Sequence, residues 1–290
     1  GTVTMLSGTL DYGQGHASPF AQVLTDKLGI PFDRFRLLQG DSDQLLVGGG
    51  TGGSRSAIVG SEAFLEAGAK VIEQGKAIAA HVLEAATVDI EFDRGRFRIA
   101  GTDRSIGLLD LAAKLRDGMS LPEDVPQTLD VRHISDTPPS AFPNGCHVAE
   151  VEIDPDTGQI DVVRYFMVND FGTLINPMLV EGQAHGGVVQ GIGQAIFERT
   201  VYDEQGQPVA GTYMDYALPR ASDAPSFSIT SHPVPCKTNS LGVKGCGEAG
   251  CAGALPSVMN AVVDALSEAG ITHIDMPVTP EKVWRVLNRG

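Results

Sequence analysis

Apolar and polar residues alternate through positions 2–10, the period-two pattern of a strand. A polar, glycine-rich stretch follows, and then an apolar helical pattern over 19–28 in which Ser18 is the expected N-cap and Pro19 the first helical residue. Gly29 and Pro31 stop that helix, and a strand is predicted near 35–39. Residues 48–56 are again rich in glycine and run straight into a long helical pattern over 57–85. Positions 88–92 and 96–100 flank Asp93-Arg94-Gly95 as a hairpin, and 106–115 reads as a helix. Proline, aspartate and serine crowd 121–143. A second hairpin pairs 147–153 with 160–168 across the turn Asp154-Pro155-Asp156-Thr157-Gly158. Asn176-Pro177 opens a helix reaching about 200, strands are predicted over 211–217 and 227–232, and a glycine cluster at 242–253 leads into a helix over 254–269. The order of elements predicts an α+β protein of two α/β lobes rather than one doubly wound sheet: 1–120, a connection over 121–145, and 146–290.

Glycine makes up 35 of the 290 residues, and the excess lies in four stretches at or within helices: 13–16, 48–56, 182–193 and 242–253. A helix N-terminus presents unpaired N–H groups and a positive dipole end, and glycine lets a ligand approach the backbone, so such a set suits one large polyanionic cofactor. The alternative for each stretch is a turn or a close helix crossing. In 48–56, Ser54, Arg55 and Ser56 add hydroxyls and a guanidinium, although the Gly-Lys-Ser/Thr ending of a nucleotide-triphosphate loop is missing and no G-x-G-x-x-G follows the first strand. Arg55 could equally serve in a surface ion pair.

The stretch 182–194 holds five glycines in a predicted helix, each costing about 1 kcal/mol relative to alanine. Gln183, Gln190 and Gln194 share one face and offer amides that donate and accept; the competing account is a helix packed tightly through its glycines. In 242–253, Glu248 stands between glycines before an apolar helix. It reads either as a carboxylate favoured by the helix dipole or as a general base whose pKa apolar walls would raise toward working pH. Cys246 and Cys251 lack a histidine or second cysteine pair to complete a metal site and read as small buried residues, and His185 as structural.

Charge narrows the partners. The formal net charge is −15 with only 21 Lys plus Arg, which argues against nucleic acid. Four cysteines are too few for a disulfide framework, no apolar run reaches membrane-spanning length, and no signal peptide opens the chain, so a cytoplasmic protein is expected. The start reads as mid-strand without an initiating methionine, so a longer polypeptide is expected to surround this sequence.

Taken in order, Gly13-Gln14-Gly15-His16, Gly52-Gly53-Ser54-Arg55-Ser56, Asn176-Pro177, Gly182-Gln183 through Gln190-Gly191, and Lys244-Gly245-Cys246-Gly247-Glu248-Ala249-Gly250 resemble the molybdopterin-binding large subunits of the xanthine dehydrogenase, aldehyde oxidase and carbon monoxide dehydrogenase family. The closing Pro277-Val278-Thr279-Pro280-Glu281-Lys282-Val283-Trp284-Arg285-Val286-Leu287 is similar to that family's end, so the resemblance covers essentially the whole chain. The resemblance implies the two lobes of a molybdenum-cofactor-binding domain. It implies Gln14, Gly15 and His16 near the molybdenum and pterin, Gly52, Gly53, Ser54, Arg55 and Ser56 on the phosphate tail, Gln183 and Gln190 on the pterin or its phosphate link, Lys244 and Gly247 as further cofactor contacts, and Glu248 as the catalytic base. The pterin holds the molybdenum, so no protein metal ligand is expected. It further implies molybdopterin in the cytosine dinucleotide form and hydroxylation of a carbon centre of a small molecule with water-derived oxygen, Glu248 taking the proton while hydride passes to the cofactor. Electrons would leave to a two-iron–two-sulfur subunit and an FAD subunit. The family's N-terminal half of the molybdenum subunit is absent, so this fragment is expected to be inactive alone, and the substrate is not legible. A second reading is a cofactor-free assembly or interaction domain of the same fold.

Overall fold

A computed structural model describes residues 1–288. It is an α+β protein whose contacts divide into two units: Gly1–Ser140 with Cys236–Val243, and Ala141–Pro235 with Lys244–Gly290. Residues 121–140, read from the sequence as part of a connection, thus pack with the first unit, and so does the short return segment Cys236–Val243.

In the first unit β1 (Val3–Ser7) and β2 (Phe35–Gln39) pair in parallel from Val3↔Phe35 to Ser7↔Gln39, joined by α1 (Ala17–Leu28). The long α2 (Ser56–Leu83) lies against α1. The contact is close because Gly60 faces the Phe20 ring, where a Cβ would come within 2.6 Å, and Phe20 meets Phe64 edge-on at 5.1 Å. Farther along α2, Gly75 makes room for the fully buried Phe97 of a three-stranded antiparallel sheet, β3 (Ile90–Asp93), β4 (Arg96–Ile99) and β5 (Ser105–Gly107), which α3 (Leu108–Arg116) follows. Two starts differ from expectation. Ile106 pairs with Phe97 as strand, so the helix predicted from 106 begins at Leu108. Ser18 does not cap α1, because the helix begins one position earlier at Ala17: the Phe20 N–H that Ser18 would take is bonded to the His16 carbonyl at 3.2 Å, and Ser18 lies inside the first turn.

In the second unit β6 (Asn144–Ile153) and β7 (Ile160–Asp170) form the predicted hairpin, and β8 (Ser226–Ser231) adds parallel to β7. Helices α4 (Pro177–Ile192) and α5 (Ala249–Ala265) pack on one another over a core that includes Tyr165, Met167, Val188, Ile192, Val258 and Val262, and α6 (Pro280–Leu287) closes the chain. The Asn176 side chain accepts from Leu179 N–H at 3.0 Å and Pro177 follows it, as the sequence predicts. Three elements differ. The helix predicted to about 200 ends at Ile192 and widens into a π-helical turn, Gly193–Phe197. No strand forms over 211–217, because the Thr212 hydroxyl accepts from Met214 N–H at 3.2 Å and donates to Asp215 at 2.7 Å, folding the segment into a local turn. The helix predicted from 254 already begins at Ala249, so the last five residues of the 242–253 cluster are helical. Among the described residues no helix is long and apolar enough to cross a membrane.

Candidate functional site

The loop 11–16 joins β1 to α1. One Asp11 oxygen accepts from Gly13 N–H at 2.7 Å and Gly15 N–H at 3.2 Å, and the other accepts from His16 N–H at 2.7 Å. The Gln14 side-chain oxygen takes the N–H of Tyr12. Burial would raise the Asp11 carboxyl, but the N–H groups of Gly13, His16 and Gly15 and the nearby His16 ring outweigh it and hold the group below its ordinary value. This overturns the idea that loop 13–16 offers its N–H groups to an external anion: the chain supplies the anion itself. His16 is buried, its Nδ1 3.4 Å from Gln39 Nε2, which donates to Thr9 Oγ1 at 2.7 Å; burial lowers the imidazole and Asp11 only partly restores it.

Residues 48–56 are built differently. The carbonyl of Gly8 accepts from Gly49 and Gly50 N–H at 3.1 and 3.2 Å, an approach possible because a side chain on Gly8 would strike Val47 and Gly48. Thr51 Oγ1 accepts from Leu10 N–H at 3.1 Å and meets Ser56 Oγ at 2.9 Å, which secures the far end. Between these anchors, Gly49, Gly52 and Gly53 face open space. Gly53 and Ser54 carry φ of 65° and 54° and turn the chain into α2. That helix of 28 residues starts with no side-chain cap and no acidic residue in its first turn. Arg55 is exposed at its N-cap and Ser56 is buried at its first position. A long helix whose N-cap side chain makes no capping bond, beside glycine backbone open to approach and a guanidinium, fits a phosphate or pyrophosphate.

In the second unit the glycines of α4 sort onto two faces. Gly187 and Gly191 press on α5, where Cβ atoms would come within 3.0 Å of Gly250 Cα and 2.5 Å of the Ala254 methyl. Gly182 and Gly186 face open space, on the same side as half-buried Gln183 and exposed Gln190. The packing account and the open-face account of this segment therefore each hold for different glycines. Gln194 falls in the π-helical turn and is exposed, and the His185 ring lies 4.6 Å from Phe227.

The stretch leading to Glu248 is held along its length. Asn239 exchanges two hydrogen bonds with Val243 at 2.9 and 3.0 Å. Lys244 donates its backbone N–H to Phe171 O at 2.9 Å and its ammonium to Asp170, the two side chains being 11% and 12% exposed. Burial would raise Asp170, but Lys244 and the N–H groups of Val234 and Gly172 hold it low. The Lys244 ammonium is thus engaged in anchoring this loop. Cys246 packs against the core and burial pushes its thiol up to about 11. Gly247 and Glu248 are exposed, with Glu248 as N-cap of α5; its carboxylate does not cap that helix, so the dipole account is not realised through a side-chain bond. The apolar walls expected around Glu248 do not enclose it among the described residues. Burial raises the Cys251 thiol, and the carboxylates of Glu198 and Glu248 add to that.

Sequence reasoning missed Asp11, Asp170 and the Glu198–Tyr216 pair, in which the phenol donates to the carboxylate at 2.7 Å. Asp11 carried a signal, an Asx residue two positions before glycine in a turn; Asp170 carried none. Among the described residues no cluster of three or more His, Cys, Asp or Glu could hold a metal.

A family model described as a molybdopterin cofactor-binding domain matches residues 1–225. This chain belongs to that family. It is 35% identical over 288 residues to the carbon monoxide dehydrogenase large chain of Hydrogenophaga pseudoflava, covering 99% of this chain and 36% of that one. It is 39% identical over 287 residues to the nicotine 6-hydroxylase large subunit of Paenarthrobacter nicotinovorans, covering 98% of this chain and 35% of that one. A solved Cu,Mo-CO dehydrogenase superposes with a TM-score of 0.85 at 34% identity, covering 99% of this chain and 36% of the other. The chain spans about a third of the length of these relatives. Glu248 lies beyond the part matched by the family model and within the part aligned with the relatives.

Proposed function

We propose that this chain is the cofactor-binding part of a molybdenum hydroxylase large subunit, holding molybdopterin in its cytosine dinucleotide form. The observation that carries the reading is the uncapped start of α2 beside Gly52, Gly53, Ser54 and Arg55, a setting for a doubly charged phosphate tail. When bound, the molybdenum pterin supplies two-electron redox chemistry.

The chain's residues do the rest. In the first unit Arg55 and the hydroxyl of Ser54 hold phosphate oxygens, with buried Ser56 bracing the loop through Thr51 behind them, and the self-capped Gln14-Gly15-His16 turn gives a preformed wall toward the pterin. In the second unit the open side of α4 admits a flat ring against Gly182 and Gly186, with Gln183 and Gln190 amides to orient it. Glu248 accepts a proton from water-derived oxygen as a carbon centre of a small molecule is hydroxylated. Lys244 and Asp170 fix the loop that carries it, and exposed Gly247 leaves that loop open beside Glu248. Electrons pass to iron–sulfur and FAD subunits, the rest of the large subunit completes the substrate pocket, this part alone does not turn over, and the assembly works in the cytoplasm.

The test is Glu248→Gln in the assembled enzyme, with kinetics normalised to bound molybdenum. The amide keeps the shape but takes no proton, so turnover is expected to fall by about 10²- to 10⁴-fold at near-normal molybdenum content. Retention of more than about a tenth of the parent rate would return Glu248 to the status of a helix-start carboxylate.

A further inference from the structure

His147 lies outside every motif considered so far, yet its surroundings single it out. It sits on the inward face of β6, and α5 passes it so closely that a Cβ on Gly253 would overlap the imidazole. Its Nδ1 is 2.8 Å from the hydroxyl of Tyr165, a side chain with 0% exposure. That hydroxyl is 2.9 Å from Ser257 Oγ, which donates to the Ala254 carbonyl at 3.3 Å. A single chain of hydrogen bonds thus runs from the ring to Ser257 and Ala254, and the ring itself abuts Gly253, all within about one turn of α5. Toward α4 the helix is keyed by Gly250 and Ala254 against Ala184, Gly187 and Gly191. Deeper in the core, Val258 and Val262 are apolar, so His147 and its hydrogen-bond chain give the polar contact that seats α5 on the sheet.

We infer that neutral His147 is a positioning residue that fixes the seating of α5 on the sheet, and with it the place of Glu248 at that helix's N-cap. The inference rests on the reading of Glu248 as the proton acceptor. Donation by Ser257 to Ala254 orients the chain: Ser257 Oγ accepts from Tyr165, and the Tyr165 oxygen accepts from Nδ1–H. Nε2 faces the Asn169 amide at 3.4 Å. The groups facing the ring, Tyr165 and Asn169 from β7 and Gly253 and Ser257 from α5, carry no charge. A second proton on the ring would therefore be a half-buried cation without a counter-charge, and burial does lower this imidazole while Asn169 only partly restores it. With the folded-state value depressed, the neutral ring favours folding fully above the ordinary imidazole range. That contribution is lost as pH falls from there through the depressed value.

Amide exchange on the 290-residue chain from about pH 8 to about pH 5, corrected for intrinsic rates, tests this. Protection over 249–257 is expected to fall roughly tenfold for each pH unit between the ordinary and the depressed value, ahead of any change in β6 and β7, and His147→Phe should make that profile flat. Gly253→Ala should loosen 249–257 in the parent and cost nothing in a His147→Ala background, where the obstructing ring is gone. A flat parent profile, equal loosening throughout the unit, or the same cost of Gly253→Ala in both backgrounds would overturn the inference. These readouts do not involve turnover, so a silent Glu248→Gln would sink the reading of the site while leaving the seating of α5 standing, and an uncoupled Gly253→Ala would do the reverse.

Discussion

Loops 11–16 and 48–56 belong to the same unit, follow or border the same strand, carry glycines at positive φ and run into a helix N-terminus, yet they are electrostatic opposites. The first is filled by its own carboxylate: Asp11 takes three N–H groups, so an incoming phosphate would meet like charge and donors already in use. The second has no internal anion, an uncapped helix of 28 residues, open glycines and a nearby arginine. Glycine before a helix is therefore only half of an anion site; the other half is the absence of a local acceptor. A single aspartate decides whether such a turn is a binding surface or a finished structural piece.

Of the two loops, removing that aspartate should have the larger effect. Asp11→Ala leaves the N–H groups of Gly13, Gly15 and His16 to water, and the lost charge-assisted bonds, discounted for partial exposure, are worth about 2 kcal/mol. Denaturant unfolding should show a lower midpoint at unchanged m-value. Because the folded carboxyl is held below its ordinary value, the parent's advantage is present above that value and fades as pH falls through the depressed one. A difference between parent and variant that persisted in strong acid would contradict the assignment. The same variant should begin to attract phosphate at 11–16.

Arg55→Ala is the smaller perturbation. The guanidinium is exposed, so a contact between it and a phosphate would contribute about 1 kcal/mol, or roughly fivefold in affinity. In the assembled enzyme this variant should lower molybdenum content more than turnover per bound molybdenum. Unchanged content with reduced turnover would move Arg55 away from the tail and toward the chemistry.

Much of the fold could be read from pattern alone. The hairpin of β6 and β7 follows from the alternation flanking Asp154-Pro155-Asp156-Thr157-Gly158, β2 from its apolar run, and the start of α4 from Asn176-Pro177. Elements went astray where tertiary contact overrode local preference. Gly250 and Gly253 made the start of α5 read as loop, but Gly250 admits the Ala184 carbonyl of α4 and Gly253 admits His147, so the glycines are the condition for packing that helix there. The residues 211–217 alternate well enough for a strand, and one threonine hydroxyl turned them into a local fold. In the candidate site, residue types and spacing located the stretches, while the state of each loop depended on partners such as Asp11 and Asp170, whose roles only three-dimensional proximity reveals.

The central claim is that 48–56, and not 11–16, is the anion cradle of the first unit. Titrating the isotopically labelled 290-residue chain with cytidine diphosphate, and with pyrophosphate alone, while following backbone amide resonances tests it most directly. The amides of Gly52, Gly53, Ser54, Arg55 and Ser56 should shift in a saturable manner with both probes, those of Gly13, Gly15 and His16 should stay still, and added salt should weaken the response. Saturable shifts at 13–16 with none at 52–56 would contradict the account.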